Sequence, residues 1–102
     1  MDPERLSDIQ IADVVRATAG REKGKLFYVI SVDDNYLNLV NGKDRTLEQP
    51  KHKKRRHVDK VLRSETRVAQ KLRQGDKVLN SELRRDLAYL SREMQSNDLG
   101  GF

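Results

Sequence analysis

The sequence predicts a mostly β fold with C-terminal helices: a small antiparallel barrel of about five strands, with two short α-helices packed on it. Three observations carry this. Between residues 11 and 63, turn residues cut the chain into short β-branched and aromatic runs with no helical run between them. Beyond Leu62 the apolar spacing changes from alternation to steps of three and four. Finally, the run Leu26–Val32 is apolar on both alternating faces, with Leu26, Tyr28, Ile30 and Val32 on one and Phe27 and Val29 on the other. A barrel encloses only one face, so something must cover the second.

Residues 1–10 read as an N-terminal extension, and the barrel takes residues 11–63. Ile11 to Ala17 is short and β-branched and makes the first strand. Gly20 to Lys25 is a turn whose two glycines can take backbone angles closed to other residues. Leu26 to Val32 is the second strand, and Asp33-Asp34-Asn35 turns the chain through residues that bond their own backbone. Tyr36 to Val40 is the third strand, closed by the hairpin signal Asn41-Gly42. Thr46-Leu47-Glu48 is expected as a short edge strand stopped by Pro50. A basic loop follows, and His57 to Leu62 forms the last strand. Residues 64–94 are a two-helix extension. Ser64 is the expected cap of a helix ending near Gly75, and Asn80 or Ser81 caps the next, which bears an apolar stripe of Leu83, Leu87, Leu90 and Met94. Residues 95–102 are expected to be a flexible tail. The stripe is the natural cover for the outer face of Leu26–Val32; the alternative is that it binds a partner helix.

A chain of 102 residues suits one domain. Charged residues make up 36% and apolar residues 35%, so the core must be small and the surface heavily solvated. With no cysteine, disulfides and thiolate metal sites are excluded, which fits a reducing compartment. Leu26 to Ile30 is the longest apolar stretch, too short to span a bilayer, and the acidic N-terminus has no apolar run behind it. A cytoplasmic protein without membrane contact is expected. The net charge of +5 is uneven: residues 14–63 hold 13 Lys/Arg against six Asp/Glu.

Two basic segments stand out. Lys51-His52-Lys53-Lys54-Arg55-Arg56-His57 follows Lys43 and Arg45 on the preceding hairpin. Charges this close repel, and a polyanion would relieve them while releasing its own counterions. The plainer readings are a solvated loop or a localisation-type run. The other segment is Arg16 with the turn Gly20-Arg21-Glu22-Lys23-Gly24-Lys25. Gly24 lets the backbone approach a ligand while the flanking lysines face outward. It is not a nucleotide-binding P-loop, since Leu26 follows Lys25 and no helix follows.

The stretch Asp13-Val14-Val15-Arg16, Gly20 to Lys25, then the apolar run to Val32 resembles a KOW motif. The continuation through Val29-Ile30, Asp34-Asn35, Leu39-Val40 and Gly42 is similar to the archaeal and eukaryotic large-subunit ribosomal protein L-fourteen-e family and its short bacterial KOW-domain relatives. The resemblance covers Ile11 to Leu62 and extends more weakly into Asn80-Ser81-Glu82-Leu83-Arg84. It implies an SH3-like barrel that binds ribosomal or other structured RNA, with Lys23, Gly24 and Lys25 as the approaching loop. Many KOW motifs carry a further glycine where this chain has Leu26-Phe27, which favours the L-fourteen-e branch over elongation factors.

The expected contacts are therefore Arg16, Arg21, Lys23, Gly24 and Lys25 on one side, with Lys43, Arg45, Lys51, Lys53, Lys54, Arg55 and Arg56 on the other. The partner is structured RNA, ribosomal RNA or the ribosome itself, met mainly through its phosphates by a monomer. Of the five aromatic residues only Phe27, Tyr28 and Tyr36 lie near these segments, and their strand positions suit a core better than base stacking. No cofactor, small-molecule substrate or catalysis is expected. His52 and His57 lie inside a cationic run that repels metals, Asp33 and Asp34 suit a turn, and Ser31, Ser64 and Ser81 lack a nearby base. Two other readings stay open: an SH3-like protein-interaction adaptor, and a transcription-associated KOW factor.

Overall fold

Alternation along the strands sorts their side chains onto two faces, and each face of the sheet carries a buried apolar cluster. The computed structural model describes residues 9–95. Five strands, β1 (Asp13–Ala17), β2 (Leu26–Val32), β3 (Tyr36–Val40), β4 (Lys51–Lys54) and β5 (Val58–Arg63), form one antiparallel sheet. The first four make a meander and β5 returns beside β1, giving the order β4-β3-β2-β1-β5. A 3-10 turn, Arg55–His57, links the edge strands β4 and β5, and no ladder joins those two edges among the described residues. The register shifts between Val14 and Val15 against β5, and between Val29 and Ser31 against β3. Such irregularities bend strands and increase twist.

The inner face gathers Val15, Ala17, Phe27, Val29, Leu37, Leu39 and Val58, joined by Ile9. The outer face presents Val14, Leu26, Tyr28 and Val40 to a second cluster holding Ala69, Val78, Leu83, Leu87 and Leu90. These last five come from or beside two helices, α1 (Arg67–Gln74) and α2 (Asn80–Gln95). The expected cover for β2 is therefore present. Leu83, Leu87 and Leu90 are buried and Met94 packs partly against them. At roughly 1.5–3 kcal/mol for each buried leucine, that stripe outweighs the weak helical preference of a chain this polar.

A polar link reinforces the apolar one. The Tyr28 hydroxyl donates to Asp86 on α2 and lies 2.9 Å from Ser64 Oγ. Asp86 also accepts from Thr66 Oγ1 at 2.8 Å. Burial, followed by the neighbouring Asp86 carboxylate, pushes the Tyr28 phenol above its ordinary value.

The local expectations needed several corrections. β1 starts at Asp13, because Ile11 and Ala12 lie in a turn with Ala12 at φ 73°. Thr66 caps α1, accepting the Ala69 N–H at 3.2 Å, while Ser64 is drawn into the Tyr28 cluster instead. α1 ends as expected at Gly75, in the left-handed conformation at φ 76°. Asn80 is the first residue of α2 and does not cap it with its side chain: the Leu79 N–H donates to Glu82 Oε1 at 2.9 Å. Asn80 Oδ1 accepts the Leu47 N–H and its amide donates to Glu48 Oε1, each at 2.9 Å. That engagement removes Leu47 from any ladder, so Thr46–Glu48 is a bend and not the expected edge strand.

The fourth strand is instead Lys51–Lys54, half of the expected basic loop, and the fifth begins at Val58 and not at His57. A charged edge strand is a common protection against unwanted pairing. Residues 1–8 and 96–102, which include most of the expected extension and tail, lie outside the described residues. No helix among the described residues is long and apolar enough to cross a membrane.

Candidate nucleic-acid interface

The antiparallel meander brings one end of β1, β2, β3 and β4 together, and with it the β1–β2 turn, the β3–β4 connection and the start of β4. The β1–β2 turn is held by its own backbone: Gly24 N–H donates to Ala17 O at 2.8 Å and Lys23 N–H to Gly20 O at 3.2 Å. Gly20 and Gly24 sit at φ 82° and 89°, angles that explain why glycine occupies both places. Arg16, on β1, reaches over the turn and donates to Gly24 O at 3.1 Å.

Glu22 joins the two basic segments. Its carboxylate is buried, with Arg45 at 2.5 Å and Lys53 at 3.8 Å. Lys53 turns inward from β4 and donates to Ala19 O at 2.8 Å. The Arg45 hydrogen bond holds the Glu22 carboxyl below its ordinary value against the opposing effect of burial. Asn41 shapes the facing hairpin, its Oδ1 accepting from Lys43 N–H at 2.9 Å and Arg45 N–H at 3.1 Å. Lys25 then bridges to Asp44 on that hairpin at 2.5 Å, and this contact lowers the Asp44 carboxyl. Both groups of that bridge are nearly half exposed, so its worth is at most about 1 kcal/mol.

The expected contact residues therefore divide. Lys53 and Arg45 are engaged by Glu22, Lys25 by Asp44 and Arg16 by the turn it crosses. Arg21 and Lys23 are exposed on the β1–β2 turn beside Gly24, and Lys43 is exposed on the facing hairpin. Lys51, half-buried at the start of β4, adds its charge to the field around Glu22.

The rest of the run leads away from this cluster. Lys54 is exposed on β4, paired across the sheet with Tyr36. Arg55 is half-buried, and its N–H donates to Asn35 O in the β2–β3 turn at 2.9 Å. Arg56 is exposed, and the next carbonyl, His57 O, accepts from Thr18 N–H at 2.9 Å. The 3-10 turn thus spans from the β2–β3 turn to the β1–β2 turn and carries positive charge between them.

Two features escaped the sequence reading. One is the role of Glu22, whose only sequence signal is an acid set between Arg21 and Lys23. The other is Tyr36, expected in the core but belonging to neither apolar cluster. It stacks on His52, ring centroids 4.4 Å apart and planes 8° from parallel. The signal existed: Tyr36 shares its strand face with Asn38, while Leu37 and Leu39 take the other. Phe27 and Tyr28 are fully buried, as expected. Among the described residues no group of three His, Cys, Asp or Glu is placed to hold a metal ion. No family model matches the chain, and no curated protein matches it.

Proposed function

We propose that this protein is a non-catalytic RNA-binding protein of the KOW type, which docks on structured RNA and contacts mainly its phosphates. The observation that carries the reading is the Glu22 junction. One buried acid ties the β1–β2 turn to Arg45 and Lys53, so that turn, the facing hairpin and the start of the second basic segment share one end of the sheet. Neutralising the innermost cations this way organises the outer ones without cancelling them. Arg21 and Lys23, and beyond them Lys54 and Arg56, remain exposed and without an ion pair among the described residues. They are spread along one five-stranded sheet and its turns, and a backbone-reading surface of this kind suits the shape of folded RNA. Ribosomal RNA is the partner the sequence resemblance favours, with a cytoplasmic, ribosome-associated location to match.

The test is a salt titration against a folded ribosomal RNA fragment. Log affinity should fall steeply and linearly with log salt, and replacing Arg21, Lys23, Lys54 and Arg56 by alanine should flatten the slope by roughly one unit for each phosphate left without its cation. A slope unchanged by the four substitutions, or tighter binding to duplex DNA than to the folded RNA, would count against the proposal.

A further inference from the structure

Tyr36 and His52 form an aromatic pair on the sheet face that α1 and α2 do not cover there. Tyr36 is half-buried and His52 exposed. The histidine ring is held in place: its Nδ1 lies 3.0 Å from Asn38 Oδ1, and Asn38 Nδ2 donates to Ser31 Oγ at 2.8 Å. The Asn38 amide thus ties the ring to its own strand neighbour across the sheet. Beside the pair lies a depression of about 300 Å³ lined by Asn35, Tyr36, Lys54 and Arg56. Tyr36 lines it and His52 does not. Its size is at the lower end of what small-ligand sites occupy.

We propose that the Tyr36–His52 stack and this depression form a subsite for one unpaired nucleotide of RNA. The inference rests on the RNA-binding reading and adds base contact to it. A nucleotide presents a planar base, polar base edges and an anionic phosphate. The site offers an aromatic ring already aligned by a stacked neighbour, a polar residue in Asn35 and two exposed cations. Single-stranded segments are bound by this combination of stacking and charge. An aromatic pair serving only to brace the sheet edge would need neither the adjoining depression nor its two cations. The Arg55–His57 turn leads from Asn35, which lines the depression, to Thr18 beside the β1–β2 turn.

The experiment compares two probes of equal charge: a single-stranded oligoadenylate of roughly twelve nucleotides, and an abasic ribose-phosphate chain of the same length. Wild type should prefer the oligoadenylate. Tyr36→Ala should weaken its binding about tenfold while leaving the abasic chain and the salt slope unchanged, and Tyr36→Phe should retain the preference. His52→Ala should cause a smaller loss confined to the oligoadenylate. If Tyr36→Ala does not fold, the His52→Ala variant, at an exposed position, and the wild-type preference between probes still decide the matter. Equal losses on both probes, or none on either, would overturn the subsite. Wild type that binds folded RNA with steep salt dependence yet treats the two probes alike removes only the subsite; failure to bind folded RNA at all removes the reading beneath it.

Discussion

Replacing Glu22 by glutamine should destabilise the protein by about 2–3 kcal/mol, although it changes one oxygen for one nitrogen in a surface turn. Lys53 is only 7% exposed, and loss of the carboxylate leaves its ammonium with the Ala19 carbonyl but no counter-charge at 3.8 Å. Removing one partner of a buried pair costs roughly 3–5 kcal/mol. Arg45, however, keeps 32% of its side chain exposed, so water takes up part of its loss and the cost falls to the low end of that range or about 1 kcal/mol below it. For a domain of this size the change corresponds to a fall in Tm of roughly 10–20 °C.

Urea unfolding followed by circular dichroism at neutral pH would measure it, and a cycle with Lys53→Met should show coupling above about 0.5 kcal/mol. The pH dependence gives a second check. The folded Glu22 carboxyl sits below its ordinary value of 4.5, so the unfolded chain takes up that proton first. Its stabilisation is present above that value and fades as pH falls through the folded one, so the gap between wild type and variant should close in acid. A neutral-pH loss under about 0.5 kcal/mol, the range of ordinary surface substitutions, would refute the reasoning.

Two further outcomes follow from the packing. A Cβ at Gly42, where φ is 77°, would stand 2.3 Å from the Asn80 carbonyl oxygen, whereas one at Gly24, at φ 89°, would meet nothing within 4 Å. Gly42→Ala should therefore cost more than about 2 kcal/mol and Gly24→Ala about 1 kcal/mol by thermal denaturation, and equal costs would count against a tight seat for α2 on the hairpin. Because the folded Tyr28 phenol is raised above its ordinary 10.0, the unfolded chain releases that proton first as pH rises. Stability should decline above pH 10, and Tyr28→Phe, less stable at neutral pH, should lack that part of the decline when Tm is followed from pH 9 to 11.

Periodicity alone determined the elements whose burial is two-sided or striped. Leu26–Val32 and Tyr36–Val40 end where the residues say they do, and the stripe from Leu83 to Met94 packs in one cluster with Leu26 and Tyr28 on the outer face of β2. The clustering of positive charge between residues 14 and 63 was equally legible.

What the sequence did not reveal depends on a partner distant in the chain. Thr46–Glu48 has the composition of a strand, but Asn80, 33 residues beyond Leu47, takes the N–H a ladder would need. Lys51–Lys54 has the composition of a loop, yet it pairs because β3 offers a free edge and a buried Glu22 awaits Lys53. In the same way, a basic residue reads identically whether it faces water or a carboxylate. Only the fold separates Lys53, held inside, from Lys54, its exposed neighbour, since alternation along a strand turns adjacent side chains to opposite faces.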